Sequence, residues 1–153
     1  LLEPFHCRVL ANDILDQDAY YRRHGLIAAA KSRVWRESDI VTLHTPLTPR
    51  TRGLIDRMVL RRMKKTAYLV NTARGAIVDT RALEWALRRG VIAGAALDVF
   101  PAEPCTDRAL LGLPNLICTP HRAGGAREAV LAMGRSAIAH LKKFFLGAGS
   151  LPR

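Results

Sequence analysis

One stretch decides the fold: Asp39-Ile40-Val41-Thr42-Leu43-His44. Its apolar and β-branched residues follow one another without a break, which is typical of a parallel strand whose sheet is covered on both faces. Further short apolar runs lie at residues 8–12, 26–30, 67–71, 93–100 and 116–119. We therefore predict a sheet built from short parallel strands.

The segments between these runs carry apolar residues at helical spacing. We predict helices at residues 18–24, 32–37, 56–63 and 127–146, and one between a cap at Asp79 or Thr80 and a stop at Gly90. The last helix has an apolar stripe on one side, formed by Val130, Met133, Ala137, Leu141 and Phe144 or Phe145. Strands that alternate with helices predict an α/β fold, a doubly wound parallel sheet of the Rossmann-like kind.

The composition narrows the class of protein. Hydrophobic residues make up 49% of the 153 residues, enough for one domain with a core, and the net charge is +11. The basic residues occur as separate pairs without interleaved aromatic residues, so solvated helix faces are favoured over a nucleic-acid site. No apolar run approaches the length of a membrane span.

The cysteines indicate the redox environment. Cys7, Cys105 and Cys118 are odd in number and have no CxxC spacing. A disulfide framework and a structural zinc site are therefore not expected, no metal ligands are assigned, and a reducing cytoplasm is the default compartment.

Three polar side chains with complementary chemistry follow predicted strands. Arg74 offers a planar fork of donors that matches a carboxylate. His121 can give or take a proton near neutral pH, and Glu103 could fix its tautomer. Because ligands bind at the carboxyl ends of the strands in such sheets, we predict an active site there. The alternatives are a structural arginine, a satisfied histidine and an exposed loop glutamate.

Two aspartates at strand ends are candidates for cofactor binding. Asp13 ends the first strand, where an acidic residue can bind the ribose hydroxyls of NAD and disfavour the 2′-phosphate of NADP. Asp98 could accept a hydrogen bond from a carboxamide, although an acid satisfied by the backbone is nearly as good an interpretation.

These motifs resemble the NAD-binding domain of the D-isomer-specific 2-hydroxyacid dehydrogenases, especially the D-3-phosphoglycerate dehydrogenase branch. The resemblance is carried by residues 38–48, 69–79, 94–104 and 114–121. It implies reversible hydride transfer between NAD and a 2-oxo or D-2-hydroxy acid, with Arg74 on the substrate carboxylate and His121–Glu103 as the acid/base pair. It also implies cofactor contacts from Asp13, Thr45, Thr72, Ala73, Arg74, Asp98, His121 and Gly124.

One part of the family pattern is not found in this sequence. No Gly-x-Gly occurs before Arg8, and the chain begins with Leu1. We therefore expect residues 1–153 to be a partial NAD-binding domain that lacks the first strand, the glycine-rich loop and the substrate domain. Such a chain is expected to be inactive alone. The resemblance also implies a homodimer as an oligomeric state to be expected. The alternatives are a regulatory or corepressor-like relative, or a decayed gene product.

Overall fold

The computed structural model describes residues 2–146 and shows alternating strands and helices. The strands are β1 (Leu10–Ala11), β2 (Ile27–Ala28), β3 (Ile40–Leu43), β4 (Tyr68–Asn71), β5 (Gly94–Leu97) and β6 (Leu116–Cys118). The helices are α1 (Asp18–Arg23), α2 (Lys31–Glu37), α3 (Arg57–Arg62), α4 (Thr80–Arg88), α5 (Arg108–Leu111) and α6 (Arg127–Leu146). Short 3₁₀ turns cover Glu3–Phe5 and Gly75–Ile77.

All strand pairs are parallel, which confirms the predicted α/β class. β1 pairs with β2 in a two-stranded sheet, and the other four strands form a second sheet in the order β3-β4-β5-β6. Within residues 2–146, β1 and β3 are not hydrogen-bonded to each other. A doubly wound sheet places a central strand between the two halves. The described strands therefore match the two flanks of such a sheet.

The core lies on one face of the four-stranded sheet. Alternate residues of a strand point to opposite faces, and Val41, Leu69 and Ala95 share the buried side by register. Helix α3 packs against α2 and α4. The helices bury apolar side chains in the same cluster, namely Trp35, Leu60, Leu83, Ala86 and Leu87.

Aspartates set the starts of three helices. The side chain of Asp56 accepts a hydrogen bond from the backbone N–H of Val59, and Asp79 accepts two, from Arg81 and Ala82. Asp107 caps α5, which the sequence analysis missed because a four-residue helix is too short to show apolar periodicity. Asp79, rather than Thr80, is the cap of α4, and Gly90 follows its end at φ 59°.

The opposite face of the four-stranded sheet corrects one expectation. The unbroken apolar pattern of β3 predicts cover on both faces, yet Ile40 is 64% exposed, Tyr68 52% and Ile117 70%. The register places these side chains on the face opposite to the core. Among the described residues, only one face of this sheet is therefore covered.

Strand lengths are a second correction. β1 and β2 have two residues each, against the five predicted for each, and β5 ends at Leu97 rather than continuing to residue 100. A strand extends only as far as its ladder partner does, and this partner cannot be read from a single apolar run.

Helix α6 forms where it is predicted, but its apolar stripe is not buried. Val130, Met133, Leu141 and Phe144 are all exposed. Over residues 2–146, no helix combines the length and the apolar character that crossing a bilayer would require. The same residues contain no group of three or more His, Cys, Asp or Glu side chains placed to hold a metal ion.

Candidate active site

A buried asparagine shapes the turn that carries Arg74. Asn71, the last residue of β4, is fully buried, and its Nδ2 donates to the carbonyl oxygen of Arg74 over 3.0 Å. Its Oδ1 accepts from the backbone N–H of Ala73 over 3.1 Å. The side chain therefore closes the turn on itself and leaves Arg74 exposed at the strand end. Sequence reasoning gave Asn71 no role, although an amide that ends an apolar strand was a usable signal.

Gly75 brings this turn against the end of β5. A Cβ atom at Gly75 would lie 2.0 Å from the carbonyl carbon of Phe100. Only glycine permits this approach of two backbones. The backbone N–H of Phe100 in turn donates to Oε1 of Glu103 over 2.9 Å. The Arg74 turn and the Glu103 loop are thus joined through Phe100.

His121 and Glu103 contact each other directly. Nδ1 of His121 lies 2.8 Å from Oε2 of Glu103, and both side chains are partly open to solvent. The hydrogen bond from His121, followed by that from the Phe100 N–H, lowers the pKa of the Glu103 carboxyl. An ionised carboxylate beside Nδ1 accepts a hydrogen bond from an N–H at that atom, so Nε2 of His121 is the atom free to exchange a proton with a ligand.

Asp98 holds the segment on both sides of His121. Its Oδ1 accepts from the Thr119 hydroxyl over 2.6 Å and from the Arg122 N–H over 2.7 Å, and its Oδ2 accepts from the Ala123 N–H over 2.8 Å. Burial acts to raise the pKa of Asp98, but these three hydrogen bonds outweigh it, so the pKa is lowered.

The backbone of His121 needs this support. Its φ is 54°, in the left-handed region that residues with a Cβ rarely adopt. The backbone N–H of His121 also donates to the carbonyl oxygen of Asp98 over 2.8 Å. Asp98 therefore fixes a strained histidine through its own backbone and through the residues on either side.

Asp13 lies in a different part of the protein, at the end of the β1–β2 sheet. It lines a cavity of about 360 Å³ together with Asn12, Asp16, Asp18 and Tyr21. Its Oδ1 accepts from the Leu15 N–H over 3.0 Å, while Asn12 ties β1 to Ala29 through a 2.7 Å bond. The cavity lies at the carboxyl ends of both strands, where the adenosine of a dinucleotide would fit.

The remaining predicted cofactor residues follow strands of the four-stranded sheet, at the carboxyl ends of those strands. Thr45 follows β3, and its Oγ1 is buried without a hydrogen-bond partner among the described residues, which suits a hydroxyl that meets a ligand. Thr72 is exposed and Ala73 half-buried in the turn after β4, and Gly124 is exposed beyond His121. These residues fit a dinucleotide in part. The described chain has no glycine-rich turn after a strand to receive its pyrophosphate.

A protein-family model matches most of the chain. Residues 1–123 match the family model described as "D-isomer specific 2-hydroxyacid dehydrogenase, NAD binding domain". The match includes every predicted site residue except Gly124.

Two curated relatives have different substrates in their names. The chain is 52% identical over 113 residues to a glyoxylate reductase of Aeropyrum pernix, covering 73% of this chain and 34% of that protein. It is 46% identical over 112 residues to a D-3-phosphoglycerate dehydrogenase of Methanocaldococcus jannaschii, covering 73% of this chain and 21% of that one. The chain therefore spans about a third or less of these relatives.

A solved structure shares the fold. The D-isomer-specific 2-hydroxyacid dehydrogenase of Lactobacillus delbrueckii ssp. bulgaricus, determined as an NAD complex, superposes with a TM-score of 0.84 at 33% identity. The superposition covers 99% of this chain and 49% of that one. The family match, the relatives and the shared fold agree with the strand-end cluster described above. The chain belongs to the D-isomer-specific 2-hydroxyacid dehydrogenases and represents their NAD-binding domain.

Proposed function

We propose that this chain carries the catalytic side chains of an NAD-dependent enzyme that interconverts 2-oxo acids and D-2-hydroxy acids. The observation that supports it best is the 2.8 Å contact between His121 and Glu103 at the carboxyl end of a parallel sheet. Family membership supplies the reaction class, and the contact supplies a proton donor and acceptor at the expected edge.

Each side chain of the proposed site has a separate task. The guanidinium of Arg74 binds the substrate carboxylate, since only Nη1 is engaged within the described protein, in a 2.6 Å bond to the Ala73 carbonyl. His121 holds a proton at Nε2 and gives it to the substrate oxygen during reduction. Glu103 accepts a hydrogen bond from Nδ1–H, which leaves the proton at Nε2 for the substrate, and it stabilises the charged form of the imidazole. NAD, when bound, supplies the acceptor or donor of the hydride.

The cofactor would be held by residues at the carboxyl ends of both sheets, the two-stranded and the four-stranded one. In the proposal Asp13 meets the adenosine ribose, and Thr45, Thr72 and Ala73 line the path towards His121. Asp98 already accepts two hydrogen bonds on Oδ1 but only one on Oδ2, so Oδ2 retains capacity for a further donor. A Cβ atom at Gly124 would meet no atom within 4 Å, so there is open space at this position, three residues after His121.

The proposal includes a further strand between β1 and β3, which residues 2–146 do not contain. β1 and β3 present edges that are not paired with each other, and an unpaired edge leaves backbone donors and acceptors without partners. We propose that a strand with a glycine-rich turn lies between them in the working protein, and that residues 1–153 are part of its NAD-binding domain, beside a separate substrate domain. A cytoplasmic homodimer without a nucleic-acid partner completes the proposal. The three free cysteines of the chain agree with a reducing compartment. The basic residues, which occur as scattered pairs, agree with the lack of a nucleic-acid partner.

The main experiment is an NADH oxidation assay of the complete gene product with a panel of 2-oxo acids. We expect turnover, and we expect His121→Asn to lower kcat by about 10²–10⁴-fold because general acid catalysis is lost. His140→Asn, on the exposed side of α6, is the matched control and should keep the wild-type rate. Wild-type turnover by His121→Asn, or no turnover of any 2-oxo acid by the wild type, would contradict the proposal.

A second measurement addresses the need for a further strand. Residues 1–153 alone are titrated with NADH in a calorimeter, and no binding in the micromolar range is expected because residues 2–146 contain no glycine-rich turn that leads from a strand into a helix to receive the pyrophosphate. Micromolar binding by this chain would show that β1 and β3 need no strand between them for cofactor binding.

A further inference from the structure

Two cysteines flank the His121–Glu103 contact on the two chain segments that it joins. Cys105 follows Glu103 by two positions, and Cys118 precedes His121 by three at the end of β6. The 2.8 Å contact therefore draws together two segments that each carry a thiol. The third cysteine, Cys7, is exposed near the start of the chain.

Both cysteines belong to the wall of one cavity. Cys105 and Cys118 line a cavity of about 510 Å³ together with Glu103 and His121, with Phe100 and Leu111 among its apolar walls. Both cysteines are half-buried and pack against the hydrophobic core. Their positions are thus set by packing rather than by a mobile surface loop.

The surroundings of Cys118, Cys105 among them, raise the pKa of its thiol. Burial raises the pKa of the Cys118 thiol, and the negative charge of Cys105 raises it further. A raised pKa lowers the thiolate fraction of Cys118 below that of an ordinary cysteine, and the thiolate is the nucleophile that attacks an oxidant. Cys118 is suited to the second step of a reaction that begins at Cys105.

We propose that Cys105 and Cys118 form a reversible disulfide when the protein meets a hydroperoxide, and that this bond switches off the adjacent acid/base pair. The Cys105 thiolate attacks the peroxide O–O bond, which gives a sulfenic acid at Cys105 and releases an alcohol, or water from hydrogen peroxide. The Cys118 thiolate then attacks this sulfur, and water leaves. Two thiols and one hydroperoxide thus yield one disulfide, one alcohol and one water.

The bond would change the shape of the site. Closing it draws residue 105 towards β6, and Glu103 is only two positions away on the same loop. Glu103 then moves relative to His121, whose own backbone is fixed by Asp98. The loss of activity rests on the proposed function, whereas formation of the disulfide does not.

Trypsin separates the three cysteines for the test. Cleavage after Arg8, Arg89, Arg108 and Arg122 leaves Cys7, Cys105 and Cys118 in different peptides, namely one that ends at Arg8, residues 90–108 and residues 109–122. The folded protein is treated with hydrogen peroxide, free thiols are alkylated, and the digest is analysed by mass spectrometry. We expect peptides 90–108 and 109–122 to be linked with the loss of two hydrogen atoms, the link to disappear with dithiothreitol, and Cys7 to remain alkylated.

Controls separate a specific pair from random oxidation. Cys105→Ala and Cys118→Ala should each abolish the link, Cys7→Ala should keep it, and Cys105→Ser replaces the first variant if that protein does not fold. In urea all three pairings should appear. Separate alkylated peptides 90–108 and 109–122 after peroxide treatment of the folded protein, or links to Cys7 instead, would overturn the disulfide.

The switch has its own readout. The oxidised complete gene product is expected to lose most of its 2-oxo acid reduction and to recover it with dithiothreitol, while Cys105→Ala stays active in peroxide. A linked protein with unchanged turnover would overturn the switch. A gene product that forms the link but never reduces a 2-oxo acid would count against the proposed function and leave the disulfide standing.

Discussion

Asp98 and His121 are joined by a hydrogen bond of 2.8 Å from the His121 backbone N–H to the Asp98 carbonyl oxygen, while the Asp98 carboxylate holds the residues on either side of the histidine. The histidine has φ 54° and is more than half exposed, so its own side chain contributes little packing to hold that conformation. The buried aspartate supplies the constraint instead.

Asp98→Asn tests this support. An amide places an NH₂ group against at least one of the three donors, so a part-buried hydrogen bond to a buried side chain is lost, and we expect a loss of about 1–3 kcal/mol in the free energy of unfolding. Urea denaturation gives the value. Asp39→Asn is the control: Asp39 is exposed and contacts Lys64 at 2.8 Å. Its loss should stay below about 1 kcal/mol. Equal losses in the two variants would mean that Asp98 is not a special support.

Glu103 is expected to make stability depend on pH. Its pKa is lowered by the hydrogen bond from His121 and then by that from the Phe100 N–H. The folded-state pKa therefore lies below the unfolded value of about 4.3. The stabilisation is present above that pH and is lost as the pH falls through the folded pKa. Nuclear magnetic resonance titration of the Glu103 carboxyl should show the lowered value.

A double-mutant cycle identifies the partner responsible. Glu103→Ala and His121→Ala each remove the contact, so at neutral pH the double variant should be less destabilised than the sum of the two single variants. The coupling should vanish once Glu103 is protonated. Strict additivity at neutral pH would show that the 2.8 Å contact contributes nothing to stability.

Gly75→Ala is expected to disturb the join between the Arg74 turn and β5. Its Cβ would lie 2.0 Å from the Phe100 carbonyl carbon, so one of the two backbones must move. Overpacking of this kind costs about 1–3 kcal/mol, which thermal or urea unfolding can measure. Gly134→Ala is the matched control, because a Cβ there meets nothing within 4 Å and the residue lies inside α6. That change should raise helix content rather than reduce stability.

Asn71→Ala is expected to loosen the turn that presents Arg74. It removes the partner of the Ala73 N–H and of the Arg74 carbonyl at a fully buried position. We expect destabilisation of at least about 1–3 kcal/mol. Thr72→Ala, the exposed neighbour, should stay within about 0.5 kcal/mol. A midpoint shift in urea at constant m would give both values. Similar shifts would show that the Asn71 bonds do not hold the turn.

Much of the fold follows from local patterns. The apolar run at β3, the aspartate before α4 and the glycine after it each specify an element through neighbouring residues alone, and the structure has them there. The helix α5 and the true lengths of β1 and β5 were not predictable in this way. A four-residue helix has no period to detect, and the end of a strand depends on a partner distant in sequence.

Some residues of the candidate site could also be predicted from the sequence, and others could not. Arg74, Glu103 and His121 could be named from the sequence, because parallel strands bring their carboxyl ends to one edge and those residue types carry recognisable chemistry. Asn71 could not be given its role, since a buried amide shows its hydrogen bonds only when the turn around it has closed. The exposure of the sheet face that carries Ile40 could not be predicted either, because an unbroken apolar strand has the same sequence pattern whether one face of its sheet is covered or both.

The sequence by itself determined the alternation of strands and helices, the family and the three side chains at the strand ends. These depend on residue type and spacing along the chain. Only the tertiary structure decided that His121 and Glu103 touch, that Asp98 turns its carboxylate to the histidine segment and that Cys105 and Cys118 share one cavity. Each of these facts joins residues about 13 to 25 positions apart, and such contacts exist only once the sheet has fixed where its loops meet.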